Sequence, residues 1–170
     1  MHLVKPSIQY QNSYHQYIQE LGDEERYPFP LDFPYEDFPN LIKRLDEIEL
    51  GINLPDGYVA SSTYWLINED EILGVSNLRH TLNEKIEFMG GHVGLGIRPS
   101  LRNHGFGRRL MELTLAEARK KGITCAHIHC EKENIASARL IQAVGGFLHS
   151  EVTGEAHPSV VQRYRVNLIF

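Results

Sequence analysis

Gly91-His92-Val93-Gly94-Leu95-Gly96-Ile97-Arg98-Pro99-Ser100-Leu101-Arg102-Asn103-His104-Gly105-Phe106-Gly107 is the segment around which this chain is arranged. Val93, Leu95 and Ile97 alternate with glycine as a short β-competent run that stops at Pro99. A loop follows, and a long helical pattern begins near Phe106. A strand that feeds a glycine loop at the start of a helix is built to hold phosphate. Backbone N–H groups converge there, and the helix N-terminus adds roughly half a positive charge. Gly105 and Gly107 leave no Cβ where an anion approaches the backbone, and Arg102 offers a charge-assisted donor beside them.

No Gly-Lys-Ser/Thr follows Gly107, so this is not a Walker loop. Gly94 and Gly96 run into Arg98-Pro99 within the strand, so it is not a dinucleotide fingerprint either. The spacing Arg102-x-x-Gly105-x-Gly107, preceded by Ile97-Arg98-Pro99 and followed by an amphipathic helix, resembles the acetyl-CoA-binding motif of the GNAT superfamily of N-acetyltransferases. The resemblance implies that Arg102, Asn103, His104, Gly105, Phe106, Gly107 and Arg108 hold the pyrophosphate of CoA.

A chain of 170 residues is expected to form one domain, 1–170, with a real core. Its hydrophobic fraction of 42% and charged fraction of 23% are ordinary for a globular protein. A net charge of −5 argues against a general nucleic-acid binder. The sequence shows no signal pattern and no bilayer-spanning apolar run, so a cytoplasmic location and no membrane partner are expected. Cys125 and Cys130 fall on opposite faces of one expected strand, which disfavours a disulfide between them. Oligomeric state stays open, a homodimer included.

Along the chain, residues 2–8 read as an edge strand and 10–21 as a helix. Residues 26–39 hold four prolines among aromatics, an irregular loop that either staples the core or walls a substrate pocket. Phe38, Leu41, Ile42, Leu45 and Ile48 recur at helical spacing up to Gly51. A hairpin is expected from 59–67 and 72–82, the central strand at 91–98 and a helix over about 106–121. Residues 123–130 then form a strand expected to run parallel to the central one. Asn134 caps a helix to about 144, with Ser137 at its third position. Strands 147–152 and 160–168 close the chain around a loop holding Pro158. The expected fold is a mixed α/β one, GNAT-like in element order: a mostly antiparallel sheet, one parallel splayed pair and helices on both faces. Asn134-x-x-Ser137 and Gly145-Gly146-Phe147 are similar to a later motif of the same superfamily. There an asparagine touches the pantetheine arm, which implies cofactor contacts for Asn134 and Ser137.

If the strands splay, the backbone of Leu95 and Ile97 can bond pantetheine amides as an added strand would. A free N–H there can also stabilise an oxyanion. An amine acceptor must lose a proton before attack, and His92 is the first candidate base, followed by His80 and Glu87. The superfamily's thiolate-protonating tyrosine is replaced here by Ile141; Tyr164 is a candidate in its place. Cys125, His127 and His129 alternate along a strand but lack a converging fourth ligand, so no metal is expected. The expected activity is acetyl transfer from acetyl-CoA to a primary amine of a small molecule or protein. The alternative is a CoA-binding sensor or interaction domain without turnover. A protein N-terminus acetylating enzyme is a third reading, disfavoured by a lidded pocket. Asp32, Glu36 and Asp37 would suit a cationic acceptor if they faced it.

Overall fold

Every residue from Ser61 to Ile67 is buried, because this stretch becomes an inner strand covered on both faces. In chain order the strands are β1 His2–Val4, β2 Ser61–Asn68, β3 Glu71–Arg79, β4 Val93–Ile97, β5 Cys125–Glu131, β6 Phe147–Gly154 and β7 His157–Asn167. The α-helices are α1 Gln11–Leu21, α2 Phe38–Leu50, α3 Glu84–Phe88, α4 Phe106–Lys120 and α5 Ile135–Ala143. The computed structural model describes residues 1–169, apart from the side chain of His157. The strands form two antiparallel sheets, ordered β1-β2-β3-β4 and β5-β7-β6.

Helices α1 and α2 bury Tyr14, Tyr17, Phe38 and Leu41 against Trp65 and Ile67 of β2. Trp65 packs beside Tyr14 with ring centroids 5.4 Å apart, and beside Phe38 at 6.3 Å. Asp37 caps α2 by accepting from the Asn40 amide at 3.2 Å, and Gly51 ends the helix in the left-handed region at φ 74°. On the opposite side α4 places Met111 and Leu115 against Tyr64 and Leu78 of the first sheet and Ala126 and Ile128 of the second. One helix thus bridges both sheets, and the helices lie on both faces as expected.

Several expectations are corrected. The first strand stops at Val4, short of Pro6, whose missing N–H cannot continue a ladder. Residues 84–88, between the expected strands, form the one-turn helix α3, capped by Asn83 accepting from the Ile86 amide at 2.9 Å. Pro158 lies within β7 rather than in the closing turn, which Glu155 and Ala156 occupy. The parallel ladder expected between β4 and β5 does not form. The strands meet through a single bridge, Gly91 with Ile128, of antiparallel type, and belong to separate sheets. The splay between them is retained. Among the described residues no helix is long and apolar enough to cross a membrane.

Candidate active site

The loop after β4 turns through Pro99–Leu101 and passes Asn103 at φ 64° and Gly105 at φ 84°. Gly105 is the N-cap of α4 and no side chain caps that helix, so its first amides point outward. A Cβ at Gly105 would meet nothing within 4 Å, so the left-handed backbone, rather than crowding, favours glycine there. The side chains around it are engaged. His104 Nδ1 lies 2.7 Å from the Arg102 carbonyl oxygen, and its ring stacks on Phe106 at 6.1 Å. Arg108 pairs with Glu112 at 2.9 Å. Gly107 is half-buried and lies against Leu140 and Ile97.

Arg102, expected as a donor beside the glycines, already has partners. Its two terminal nitrogens donate to Glu24 at 3.2 and 2.7 Å, and its Nε donates to the Ile97 carbonyl at 3.1 Å. The guanidinium hydrogen bond holds the Glu24 carboxyl below its usual range. Any phosphate at this loop competes with, or sits beside, that pair.

The gap between the sheets is lined by backbone. The Arg98 amide donates to Leu73 and the Arg79 amide to His92, so even-numbered residues of β4 turn their polar groups toward β3. In an antiparallel ladder the alternate residues point the other way, which turns Leu95 and Ile97 to the gap. Across it, Asn134 caps α5 by accepting from the Ser137 amide at 3.1 Å, as its spacing predicts.

A Cβ at Gly96 would fall 2.4 Å from the Tyr27 carbonyl oxygen, and one at Gly94 would fall 2.9 Å from the Tyr27 hydroxyl. The loop after α1 crosses β4 there, so the glycines admit the chain's own Tyr27-Pro28. That loop staples the core through buried Leu31 and Phe33, and its Tyr27 is laid over the strand that borders the gap. Asp37 of the same loop is occupied as a helix cap.

His92, the first candidate base, is held by backbone on both its amide and its ring. Its amide donates to the His127 carbonyl at 2.6 Å, and the His127 amide donates to its Nδ1 at 2.9 Å. The imidazole lone pair is therefore taken up by backbone, and burial pushes the pKa down to about 4. His129 repeats the arrangement by accepting from the Gly90 amide at 3.1 Å. His80 bonds Ser62 at 2.8 Å, which in turn donates to Glu49 of α2. Tyr164 buries its ring beside Ile141 and Ala138 and donates its hydroxyl to Gln162 at 3.1 Å; burial raises its pKa. Neither His92 nor Tyr164 presents a free titrating group to the gap.

A cavity of about 270 Å³ opens on the face of the β5-β7-β6 sheet opposite α4 and α5. It is lined by Glu84, Glu87 and Phe88 of α3, His127 and His129 of β5, His149 of β6 and Arg163, Tyr164 and Arg165 of β7. Glu87 was legible in the sequence as a candidate base, but this assembly was not. Its members come from four elements, and only the alternation of His127 and His129 was visible locally.

The acetyltransferase (GNAT) family profile matches residues 15–147. The chain belongs to this family, and it is an acetyl-CoA-dependent N-acetyltransferase. No curated protein sequence matches it significantly. Among solved structures it is similar to a variant of the spermidine N-acetyltransferase SpeG from Vibrio cholerae, at 15% identity and a TM-score of 0.68, covering 98% of this chain and 95% of that one. It is also similar to the Salmonella typhimurium acetyltransferase that modifies the N-terminal serine of a 50S ribosomal subunit protein, at 14% identity and a TM-score of 0.70, covering 98% and 94%. A third is the ribosomal α-N-protein acetyltransferase RimL in complex with coenzyme A, at 15% identity and a TM-score of 0.69, covering 97% and 92%.

Proposed function

We infer that this protein transfers an acetyl group from acetyl-CoA to a primary amine by direct attack within a ternary complex. The observation that carries the reading is one juxtaposition. The outward-facing backbone of Leu95 and Ile97 leads through a short loop to the uncapped amides of α4 at Gly105. These residues fit the cofactor: donors for a pyrophosphate at one end, an unpaired strand edge for pantetheine amides behind it. Acetyl-CoA supplies an acetyl thioester that amines can attack.

In this reading the amides following Gly105, with Arg102, hold the pyrophosphate, and those of Leu95 and Ile97 orient the arm. Asn134 and Ser137 flank it from α5. An N–H of β4 turned to the gap polarises the thioester carbonyl. Tyr27 closes the other side and excludes water. Proton removal from the amine runs to solvent or to the polar cavity behind β5, because the Nδ1 atoms of His92 and His129 are occupied. A CoA thiol with a pKa of about 8.5 leaves without a dedicated acid, so Tyr164 is not required in that role. Spermidine and a protein N-terminal serine, the acceptors named for two structural relatives, are both amines. Two free cysteines, Cys125 and Cys130, support a reducing cytoplasmic location.

The test is a screen of amines with acetyl-CoA and thiol detection. Amine-dependent release of CoA is expected. CoA binding with no amine-dependent release across the screen would favour a binding domain.

A further inference from the structure

We propose that the acceptor amine also carries a carboxylate, and that the cavity behind β5 receives it as a zwitterion of amino-acid size. This rests on the acetyl-transfer reading above and names its substrate class.

Size comes first. At about 270 Å³ the cavity is smaller than sites for drug-sized ligands, which run roughly 300–1,000 Å³. Charge comes second. Glu84, Glu87, Arg163 and Arg165 line one space, yet among the described residues no ion pair joins either glutamate to either arginine. Opposite charges held apart across one cavity complement a ligand with both signs. Arg163 stands opposite His129 and Arg165 opposite His127 in the β5–β7 register, so both guanidinium stems rise from one face. Arg163 is steadied by donating to Ser150 at 2.9 Å and lying over the Phe88 ring at 5.8 Å. Arginine suits a carboxylate because its fork donates two parallel hydrogen bonds.

Position comes third. The β5 wall of the cavity is the strand that meets Gly91 at Ile128, and His129 on that wall accepts from the Gly90 amide. The cavity therefore begins where β4 leaves β5, at the start of the strand whose edge is assigned to the thioester. The carboxylate lies on the arginines and the ammonium points to the glutamates and the gap. There the ammonium loses a proton, its nitrogen forms a bond to the acetyl carbonyl carbon and gives up a second proton, and the carbon–sulfur bond breaks. CoA departs as thiolate and takes up a proton, leaving an N-acetyl amino acid and one net proton released to solvent.

The experiment compares kcat/KM for free amino acids with that for their amides and decarboxylated amines, in the wild type, Arg165→Gln and Arg165→Lys. A second readout, free of turnover, is the melting temperature of the CoA-saturated protein with each compound. The wild type is expected to prefer the carboxylated member at least tenfold. Arg165→Gln should lower that preference at least tenfold, and Arg165→Lys should restore part of it. Free amino acid should stabilise the CoA-saturated wild type and not Arg165→Gln. Equal or better use of the amides, or a preference that survives Arg165→Gln, overturns the proposal. So does a protein that acetyl-CoA stabilises but that turns over no member of the panel. Absence of any stabilisation by acetyl-CoA would instead remove the acetyl-transfer reading, and this proposal with it.

Discussion

His92 and His127 bind each other twice: the His92 amide donates to the His127 carbonyl at 2.6 Å, and the His127 amide donates to His92 Nδ1 at 2.9 Å. This clasp, with the Gly91–Ile128 bridge, joins the two sheets at the point from which β4 and β5 diverge. The imidazole works here as a neutral acceptor, and protonation at Nδ1 breaks the clasp. Burial, and after it the charges of His127 and Arg79, also favour the neutral ring, with a pKa of about 4 against an ordinary 6.5. As pH falls, the unfolded chain takes up this proton first. The contribution is fully present above about 6.5 and is lost as pH drops toward 4, reaching on the order of 3 kcal/mol. His92→Asn keeps an acceptor near the Nδ1 position but does not titrate. Urea unfolding between pH 4 and 7 should show a shallower loss of stability for this variant. Its turnover should fall less than tenfold, whereas loss of a general base costs roughly 10²–10⁴-fold; a loss in that range would restore His92 as the base.

Gly105→Val should abolish stabilisation by acetyl-CoA. The added side chain finds open space but must adopt φ 84°, a strain of about 1–2 kcal/mol for an L-residue. The unliganded variant should thus melt a few degrees lower and still fold cooperatively. Scanning calorimetry with and without acetyl-CoA reads both effects. A ligand-induced rise equal to the wild type's would place the cofactor elsewhere.

Glu24→Gln should tighten CoA binding several-fold at low salt, because the fork of Arg102 is released from a carboxylate that competes with phosphate. Titration calorimetry at two ionic strengths checks this. Weaker binding would mean that the pair persists in the complex and positions the loop.

Asn134→Ala should cost about 1 kcal/mol through the lost cap on α5. If Asn134 also meets the pantetheine arm, affinity for CoA should fall more than affinity for adenosine 3′,5′-bisphosphate. Equal losses would leave it a cap alone. Tyr164→Phe should lower turnover less than tenfold, about 1.4 kcal/mol of barrier at most. A hundredfold loss with CoA affinity intact would make it the acid.

The parts of this fold governed by nearby residues were legible in the sequence. Leu41, Leu45 and Ile48 set the period of α2, Gly51 ended it, and Asn134 announced α5 three residues before the amide it caps. The strand–glycine loop–helix unit at 93–107 was legible for the same reason. Helix α3 was not, since five residues make too little of a turn pattern to show a period. The pairing of Glu24 with Arg102 spans 78 residues and has no local signal. The crossing of Gly94 and Gly96 by Tyr27 is equally remote in sequence. The engagement of His92 was not legible either, because its partner, the amide of His127, belongs to a strand reached only after α4.

In the proposed reading acetyl-CoA binds as an added strand along β4. Amide hydrogen exchange at Leu95 and Ile97 tests it most directly, in the free protein and at saturating CoA. Both amides face the gap without a strand partner, so they should exchange readily when free and be strongly protected with CoA bound. Unchanged exchange at both positions in a protein that is demonstrably saturated would contradict the account.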